Sequence, residues 1–157
     1  SAGRSVVLTP GGVAETLLLD RQDEVLFLKK RFGFVRLAAE QGAYIVPVFA
    51  FGQRDVYSWY IPFQHTKILH AVSHFLHVVP CVYWGLLGTP IPVPKSVTIV
   101  VGTPIPTSDV GRATGASRYP DRGDVRRKLA EVVAGMEALY QKYAAACGQG
   151  HVALRIC

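Results

Sequence analysis

The chain has 157 residues, 50% of them hydrophobic, which is enough material for one ordinary domain with a single core. A formal charge of +6 at pH 7 suits an anionic partner, such as a phosphate-bearing molecule or an anionic membrane surface. The sequence has no zinc finger, no RNA-binding aromatic signature and no run of five Lys or Arg, so nucleic acid is the weakest candidate. Three widely spaced cysteines form neither a disulfide framework nor a Cys-x-x-Cys metal site, and they favour a reducing compartment.

The first predicted elements lie on either side of a turn made by Pro10, Gly11 and Gly12. Residues 5–8 predict a short buried strand, and the apolar segment after the turn predicts a helix with Glu15 in or beside its first turn. Glycine adopts backbone angles that other residues resist, so main-chain N–H groups in the turn can approach a ligand closely. A plain structural turn, with a first-turn Glu favoured by the helix dipole, explains the same residues without a ligand.

The next elements are a second short strand over residues 25–28 and a helix that ends at Gly42, a natural C-cap. Residues 44–52 form a continuous apolar run, which predicts a strand buried on both faces. Pro47 within that run indicates a sheet edge or an irregularity, because proline cannot donate a ladder hydrogen bond.

Residues 68–88 are the most apolar part of the chain, and we expect a helix there with a break at Pro80. His70, His74 and His77 share one helix face, but no carboxylate or cysteine accompanies them, so surface or interfacial histidines are favoured over a metal site. The opposite face suits core packing or a membrane interface. An aromatic cluster precedes this segment and either meets lipid or shelters the core; its members are Tyr57, Trp59, Tyr60 and Phe63.

The last part of the chain predicts a third buried strand over residues 96–102, an exposed loop over 107–124 and a long helix capped by Asp124. Strands alternating with helices predict an α/β domain with a mainly parallel or mixed sheet. We expect residues 1–147 to belong to one domain and residues 148–157 to form a tail without a clear pattern.

Several motifs together resemble the type-2 diacylglycerol acyltransferase family. They are Pro10-Gly11-Gly12-Val13-Ala14-Glu15, residues 31–34 with Leu37 and Ala38, and residues 42–52, in matching order and spacing. Residues 84–92 and 100–105 look like the plant and algal branch, and the resemblance covers roughly residues 3–145. Several linked motifs in register are more specific than any one of them.

The resemblance implies a glycerophospholipid-acyltransferase-like α/β domain, incomplete here at its N-terminus. It implies acyl transfer from acyl-CoA, as co-substrate, to the free hydroxyl of diacylglycerol, which forms triacylglycerol; no bound cofactor is expected. Monoacylglycerol and wax alcohols are the alternative acceptors, and a non-catalytic lipid-surface binding protein is the alternative class. The expected location is the cytosolic face of the endoplasmic reticulum membrane or the lipid droplet surface, and homo-oligomerisation is left open.

Two departures from the family pattern bear on catalysis. The His-Pro-His-Gly motif, whose histidine is expected to act as general base, does not occur in this chain, and Gln53 stands where the family usually has Glu. The family has the histidine motif upstream of the Pro-Gly-Gly turn. Because the chain begins at Ser1 and its only methionine is Met136, we expect a piece of a longer enzyme that is inactive alone.

The resemblance assigns site roles to a few residues of this chain. Glu15 is expected to position the acceptor, and the Gly11 and Gly12 backbone to hydrogen-bond near the reacting carbonyl. Arg31 either pairs with coenzyme A phosphates or lies in a solvated basic turn. Pro47 is predicted to be the remaining substrate-binding residue.

Overall fold

The computed structural model describes residues 3–62, 79–110 and 120–157. The described helices are α1 (Gly12–Leu17), α2 (Gly33–Gln41) and α3 (Arg122–Tyr143), with short 3₁₀ turns at Gln53–Asp55 and Leu86–Gly88. The described strands are β1 (Glu24–Leu26), β2 (Val48–Phe51), β3 (Ser58–Tyr60), β4 (Val82–Trp84), β5 (Thr98–Val101) and β6 (Leu154–Ile156). This composition confirms the predicted α/β class. Within the described ranges, no helix is both long enough and apolar enough to cross a membrane.

The strands pair in separate two-stranded sheets in the part of the chain that the structure describes. β1 pairs in parallel with β6, whereas β2 with β5 and β3 with β4 are antiparallel. Parallel and antiparallel pairs therefore both occur, but each described sheet has only two strands. The predicted continuous sheet is not present among these residues.

α2 ends as the sequence predicts. Gly42 takes the left-handed conformation with φ 62°, which glycine adopts without a side-chain clash. The next amide, of Ala43, donates back to the carbonyl oxygen of Ala38 at 2.8 Å. This bond turns the chain toward β2.

Pro47 interrupts the strand predicted over residues 44–52, as expected of a residue without an N–H. Ile45 makes an isolated antiparallel bridge with Ile105, the Pro47 carbonyl oxygen accepts a bond from the Gly102 amide at 2.8 Å, and β2 begins only at Val48. The irregularity is confirmed, and the strand is shorter than predicted.

The prediction that the strand in residues 44–52 is buried on both faces is wrong, and β5, which was predicted as a buried strand, is also exposed on one face. Phe49 and Phe51 are buried on one face, whereas on the other face Val48, Ile99 and Val101 are 47%, 67% and 65% exposed. Side chains alternate between the two faces of a strand, and the described elements cover only the face that carries the two phenylalanines.

Among the described elements, α3 supplies the largest share of the buried core residues. Its buried Val125, Leu129, Val132 and Val133 form one cluster with Val35 and Ala39 of α2. Further along α3, the Tyr140 ring lies 5.1 Å from the Phe49 ring and 5.4 Å from the Phe51 ring, measured between centroids. One face of a single helix therefore joins α2 to the β2–β5 sheet.

The N-cap of α3 is Asp121, so the prediction of Asp124 is wrong. Asp121 has an extended backbone and its Oδ2 accepts a hydrogen bond from the Gly123 amide at 2.7 Å. Asp124 lies inside the first turn instead. The helix begins earlier because Arg122 and Gly123, which are typical of a loop, are helical here.

The expected strand over residues 5–8 is wrong, and the loop expected to be exposed over residues 107–124, of which residues 111–119 lie outside the described ranges, is partly buried. Residues 5–8 are not a strand, and Val6 and Val7 are 76% and 94% exposed, since no strand within the described ranges pairs with them. The loop predicted as exposed from residue 107 begins in the core: Thr107 and Val110 are buried, and the Thr107 hydroxyl donates to the Ala43 carbonyl oxygen at 2.7 Å.

The central predicted helix lies mostly outside the described residues, as do His70, His74, His77 and Phe63. Beyond Pro80 the chain forms β4, in keeping with the predicted break. At the C-terminal end, where residues 148–157 were expected to form a tail, the structure has the strand β6. This strand joins β1 in parallel, with Leu154 opposite Glu24, and the Cys157 amide donates to the Leu26 carbonyl oxygen at 2.8 Å.

We expect Gly52→Ala to lower the free energy of unfolding by more than Gly88→Ala. Both glycines have a positive φ, 86° and 78°, so alanine at either position carries a strain of about 1 kcal/mol. A Cβ at Gly52 would also collide with the carbonyl oxygen of Ser96, whereas at Gly88 it would meet nothing within 4 Å. Urea unfolding measures both losses, and equal losses would contradict this steric account.

Candidate functional site

The glycine turn and the start of α1 hold Glu15 close to the chain that precedes it. Gly11 is buried, and a Cβ built on it would collide with the Glu15 side chain, including its carboxyl group. Gly12 has φ +60°, the left-handed region that favours glycine. Glycine is therefore required at the two positions for different physical reasons. Gly11 leaves room for the Glu15 side chain, and Gly12 allows the left-handed backbone of the turn.

The Glu15 carboxylate is held by a backbone amide from outside the turn. Its Oε2 accepts a hydrogen bond from the Phe27 N–H at 3.0 Å, and the group is partly buried. Phe27 directly follows β1, so the strand sets the position of this donor. Phe27 has no signature in the sequence as a partner of Glu15, because any residue except proline supplies a backbone N–H and the pairing spans twelve positions.

Arg31 closes the same cluster from the far side. Its Nη2 donates to the Gly11 carbonyl oxygen at 2.7 Å, and its Cζ lies 4.9 Å from the centroid of the Phe27 ring. The planar guanidinium makes a charged hydrogen bond and a cation–π contact at once. Its Nε is buried and has no hydrogen-bond partner among the described residues. We call Gly11, Glu15, Phe27 and Arg31 the turn cluster.

A second carboxylate lies near Glu15 at the beginning of β1. Burial raises the pKa of the Glu24 carboxyl group, Arg54 opposes this with an ion pair of 3.6 Å, and the negative charge of Glu15 adds to the increase. The repulsion shows that the two carboxylates lie close enough to sense each other. β1 is thus flanked by charged groups at both ends.

Pro47 contacts a different part of the fold from the turn cluster. It is buried, and its ring lies next to the Cβ positions that side chains at Gly102 and at Gly135 of α3 would occupy. The structure therefore brings together the predicted residues Gly11, Gly12, Glu15 and Arg31, and the contacts it gives Pro47 are with β5 and α3. A role for Pro47 in substrate binding stays a prediction.

The aromatic cluster predicted after β2 is partly described. The Tyr57 hydroxyl donates to the Pro90 carbonyl oxygen at 3.3 Å, and the Arg21 guanidinium lies over the Trp59 ring, 5.6 Å from its centroid. Tyr60 is 55% exposed. In residues 3–62, 79–110 and 120–157, no group of three His, Cys, Asp or Glu side chains could hold a metal ion.

Comparison with known proteins gives a family match over most of the chain. The sequence model described as "Diacylglycerol acyltransferase" matches residues 1–118, which contain the whole turn cluster. No solved structure matches.

Curated relatives carry names of three related activities. The chain is 31% identical over 160 residues to human 2-acylglycerol O-acyltransferase 3, covering 93% of this chain and 43% of that protein. It is 37% identical over 133 residues to Danio rerio diacylglycerol O-acyltransferase 2 (69% and 34%). It is 35% identical over 116 residues to mouse acyl-CoA wax alcohol acyltransferase 2 (66% and 34%). The chain thus spans less than half the length of these relatives.

We expect Arg31→Lys to lower the free energy of unfolding by about 1 kcal/mol, because an ammonium cannot both reach the Gly11 carbonyl and stack flat on the Phe27 ring. The control is Arg36→Lys on α2, where a lysine can still pair with Glu40, and the expected change is within about 0.5 kcal/mol. Urea unfolding of both variants measures the difference. If Arg36→Lys lowered the free energy of unfolding as much as Arg31→Lys, the proposed role of Arg31 in the turn cluster would be contradicted.

Proposed function

Since this chain belongs to the type-2 diacylglycerol acyltransferase family, we propose that the complete protein containing it transfers an acyl group from acyl-CoA to the free hydroxyl of diacylglycerol. The product is triacylglycerol. In this reaction a new C–O bond forms at the acyl carbon, the C–S bond of the thioester breaks, and the hydroxyl proton passes by way of a base to the departing thiolate, which leaves as CoA-SH. The turn cluster is the observation that carries the proposal, because it contains the motif residues in one interlocked group.

The chemistry defines what the turn cluster has to supply. An alcohol is a weak nucleophile at neutral pH, so attack on a thioester needs a positioned base and donors for the developing oxyanion. The proposed base is the histidine of the family's His-Pro-His-Gly motif, which does not occur in these 157 residues. The role that remains here is to orient the acceptor beside the thioester.

Glu15 suits this orienting role. An ionised carboxylate only accepts hydrogen bonds, so it can accept the hydroxyl hydrogen while the acceptor is being positioned, and this hydrogen then passes to the histidine base as the oxygen attacks the acyl carbon. Phe27 fixes Oε2, and this bond sets the direction of the carboxylate before any substrate arrives. The Gly11 and Gly12 backbone lies beside it and is proposed to contact the reacting carbonyl.

Arg31 contributes by holding the turn through the Gly11 carbonyl oxygen. A direct pairing of Arg31 with a coenzyme A phosphate stays a prediction. So do the glycerophospholipid-acyltransferase-like fold and the plant and algal branch. Because diacylglycerol is a membrane lipid, the proposed location is the cytosolic face of the endoplasmic reticulum membrane or the surface of a lipid droplet.

Two alternative acceptors have specific support. The human relative is named for 2-acylglycerol and the mouse relative for wax alcohol, and both are at least as identical to this chain as several relatives named for diacylglycerol. The decisive experiment incubates membranes containing the complete protein with labelled acyl-CoA and each acceptor separately. The proposal predicts triacylglycerol as the main product. If a wax ester or diacylglycerol were the main product, the natural acceptor would instead be a wax alcohol or monoacylglycerol.

Absence of any ester would favour the lipid-surface binding protein instead. Flotation of the complete protein with liposomes, without acyl transfer, is the result expected of that class. Turnover with any of the three acceptors rules it out.

We expect Glu15→Gln in the complete protein to lower kcat by at least about tenfold, because the amide is a weaker acceptor and also presents an N–H to the acceptor hydroxyl. The matched control is Glu40→Gln on the exposed face of α2, which lies outside the turn cluster and should leave kcat unchanged. Initial rates at saturating acyl-CoA measure both. Full activity of Glu15→Gln would remove the carboxylate from the mechanism.

A further inference from the structure

A cavity of about 380 Å³ opens beside the beginning of β1, away from the turn cluster. Its lining includes Arg21, Arg54, Asp55, Gln149 and His151. The first three come from the chain around β1 and β2, and the last two come from the segment that leads into β6. The fold of the C-terminal segment onto β1 therefore creates the cavity.

Gln149 is the unusual member of this lining. Its side chain is only 4% exposed, and both Oε1 and Nε2 are buried without a hydrogen-bond partner among the described residues. Its backbone N–H, by contrast, donates to the Ala144 carbonyl oxygen at 2.8 Å. A buried amide without partners destabilises the folded state, whereas an apolar side chain of similar size would not. The side chain is thus best explained by a polar ligand in the cavity.

The two arginines are already oriented by the fold. Arg54 donates from Nη2 to the Arg21 carbonyl oxygen at 2.5 Å and pairs with Glu24 through Nη1 at 3.6 Å. Arg21 donates from Nη2 to the Trp59 carbonyl oxygen at 3.1 Å. A guanidinium carries five N–H donors, so each arginine has more donors than these bonds use.

The N–H donors of the lining select the ligand. Asp55 in the lining and Glu24, which pairs with Arg54, balance the two guanidinium groups in charge. The free N–H donors of Arg21, Arg54 and Gln149 are therefore what favour an anion. Guanidinium groups and an amide N–H match the tetrahedral oxygens of a phosphate, and arginine binds phosphate in a fixed fork geometry.

We propose that this cavity binds a phosphate group of the acyl-CoA donor, with Arg21 and Arg54 on its oxygens and the Gln149 amide donating through Nε2. This inference rests on the proposed function. Coenzyme A carries its thioester and its phosphates at opposite ends of a flexible arm, so it needs a phosphate site separate from the reacting carbonyl. β1 connects the two places: Glu24 at its start pairs with Arg54, and Phe27 just beyond its end binds Glu15.

The first test is the Gln149→Leu variant of the complete protein. The expected result is a rise of about tenfold in KM for acyl-CoA at unchanged kcat, because a uniform binding contact is lost. The melting temperature should stay equal or increase, since the unpartnered amide is removed. The control is Gln41→Leu at the exposed end of α2, which should change neither constant. An unchanged KM in a folded Gln149→Leu protein would overturn the proposal.

The second test uses charge and a competitor. Arg21→Gln removes the positive charge and the guanidinium donors, so it should raise KM for acyl-CoA as well. Adenosine 3′,5′-bisphosphate should inhibit the unchanged protein and should inhibit Gln149→Leu and Arg21→Gln less. Equal inhibition of all three proteins would overturn the assignment.

A direct binding experiment tests the phosphate site independently of acyl transfer. Equilibrium dialysis with adenosine 3′,5′-bisphosphate, without any acceptor, should show binding that Gln149→Leu weakens, and this result supports the site even if no ester is ever formed. Loss of flotation on phosphatidate vesicles in Gln149→Leu, with KM for acyl-CoA unchanged, would assign the cavity to a lipid headgroup and overturn the donor assignment. Normal acyl transfer by Gln149→Leu with an unaltered KM for acyl-CoA would reject the phosphate site in the cavity and leave the proposed acyltransferase function intact.

Discussion

The close approach of Glu15 to Gly11 is the constraint on which the candidate site depends. No side chain at position 11 would fit, because the Glu15 side chain occupies the space of a Cβ. That position then allows Oε2 to reach the Phe27 amide and leaves the Gly11 carbonyl oxygen for Arg31. Three sequence segments are thereby fixed to one another by two hydrogen bonds and one cation–π contact.

β1 transmits this constraint to the rest of the fold. Phe27 directly follows β1. The strand that pairs with β1, β6, brings the C-terminal segment with Gln149 toward Arg54. α3 holds the segment that leads into β6, since the Tyr140 hydroxyl donates to the Val152 carbonyl oxygen at 3.1 Å. A three-residue strand pair therefore links the turn cluster to the cavity.

Local patterns predicted the elements that local physics decides. Gly42 marks the end of α2 because its left-handed backbone follows from its own lack of a side chain, and Pro47 marks the ladder break because it lacks an N–H. The glycine turn likewise predicted that Glu15 lies in or beside the first turn of the helix that follows Gly11 and Gly12. Each of these features depends on a residue and its immediate neighbours.

Long-range features could not be predicted in this way. The bond from Phe27 uses a backbone amide, and β6 pairs with a strand that lies far away in sequence, so neither has a side-chain signature. The exposed face of β5 carries Ile99 and Val101, which have the composition of buried strand residues although the described elements leave them uncovered. The Asp121 cap was missed because Arg122 and Gly123, which are helical here, follow a loop-like composition in the sequence.

The central claim is that the turn cluster borders the reacting thioester and that the cavity holds the far end of the donor. A structure of the complete protein bound to a non-hydrolysable thioether analogue of acyl-CoA tests it most directly. The account predicts the sulfur beside Gly11, Gly12 and Glu15, with a phosphate within hydrogen-bonding distance of Arg54 and Gln149. An analogue bound with its sulfur remote from Glu15 would contradict the account.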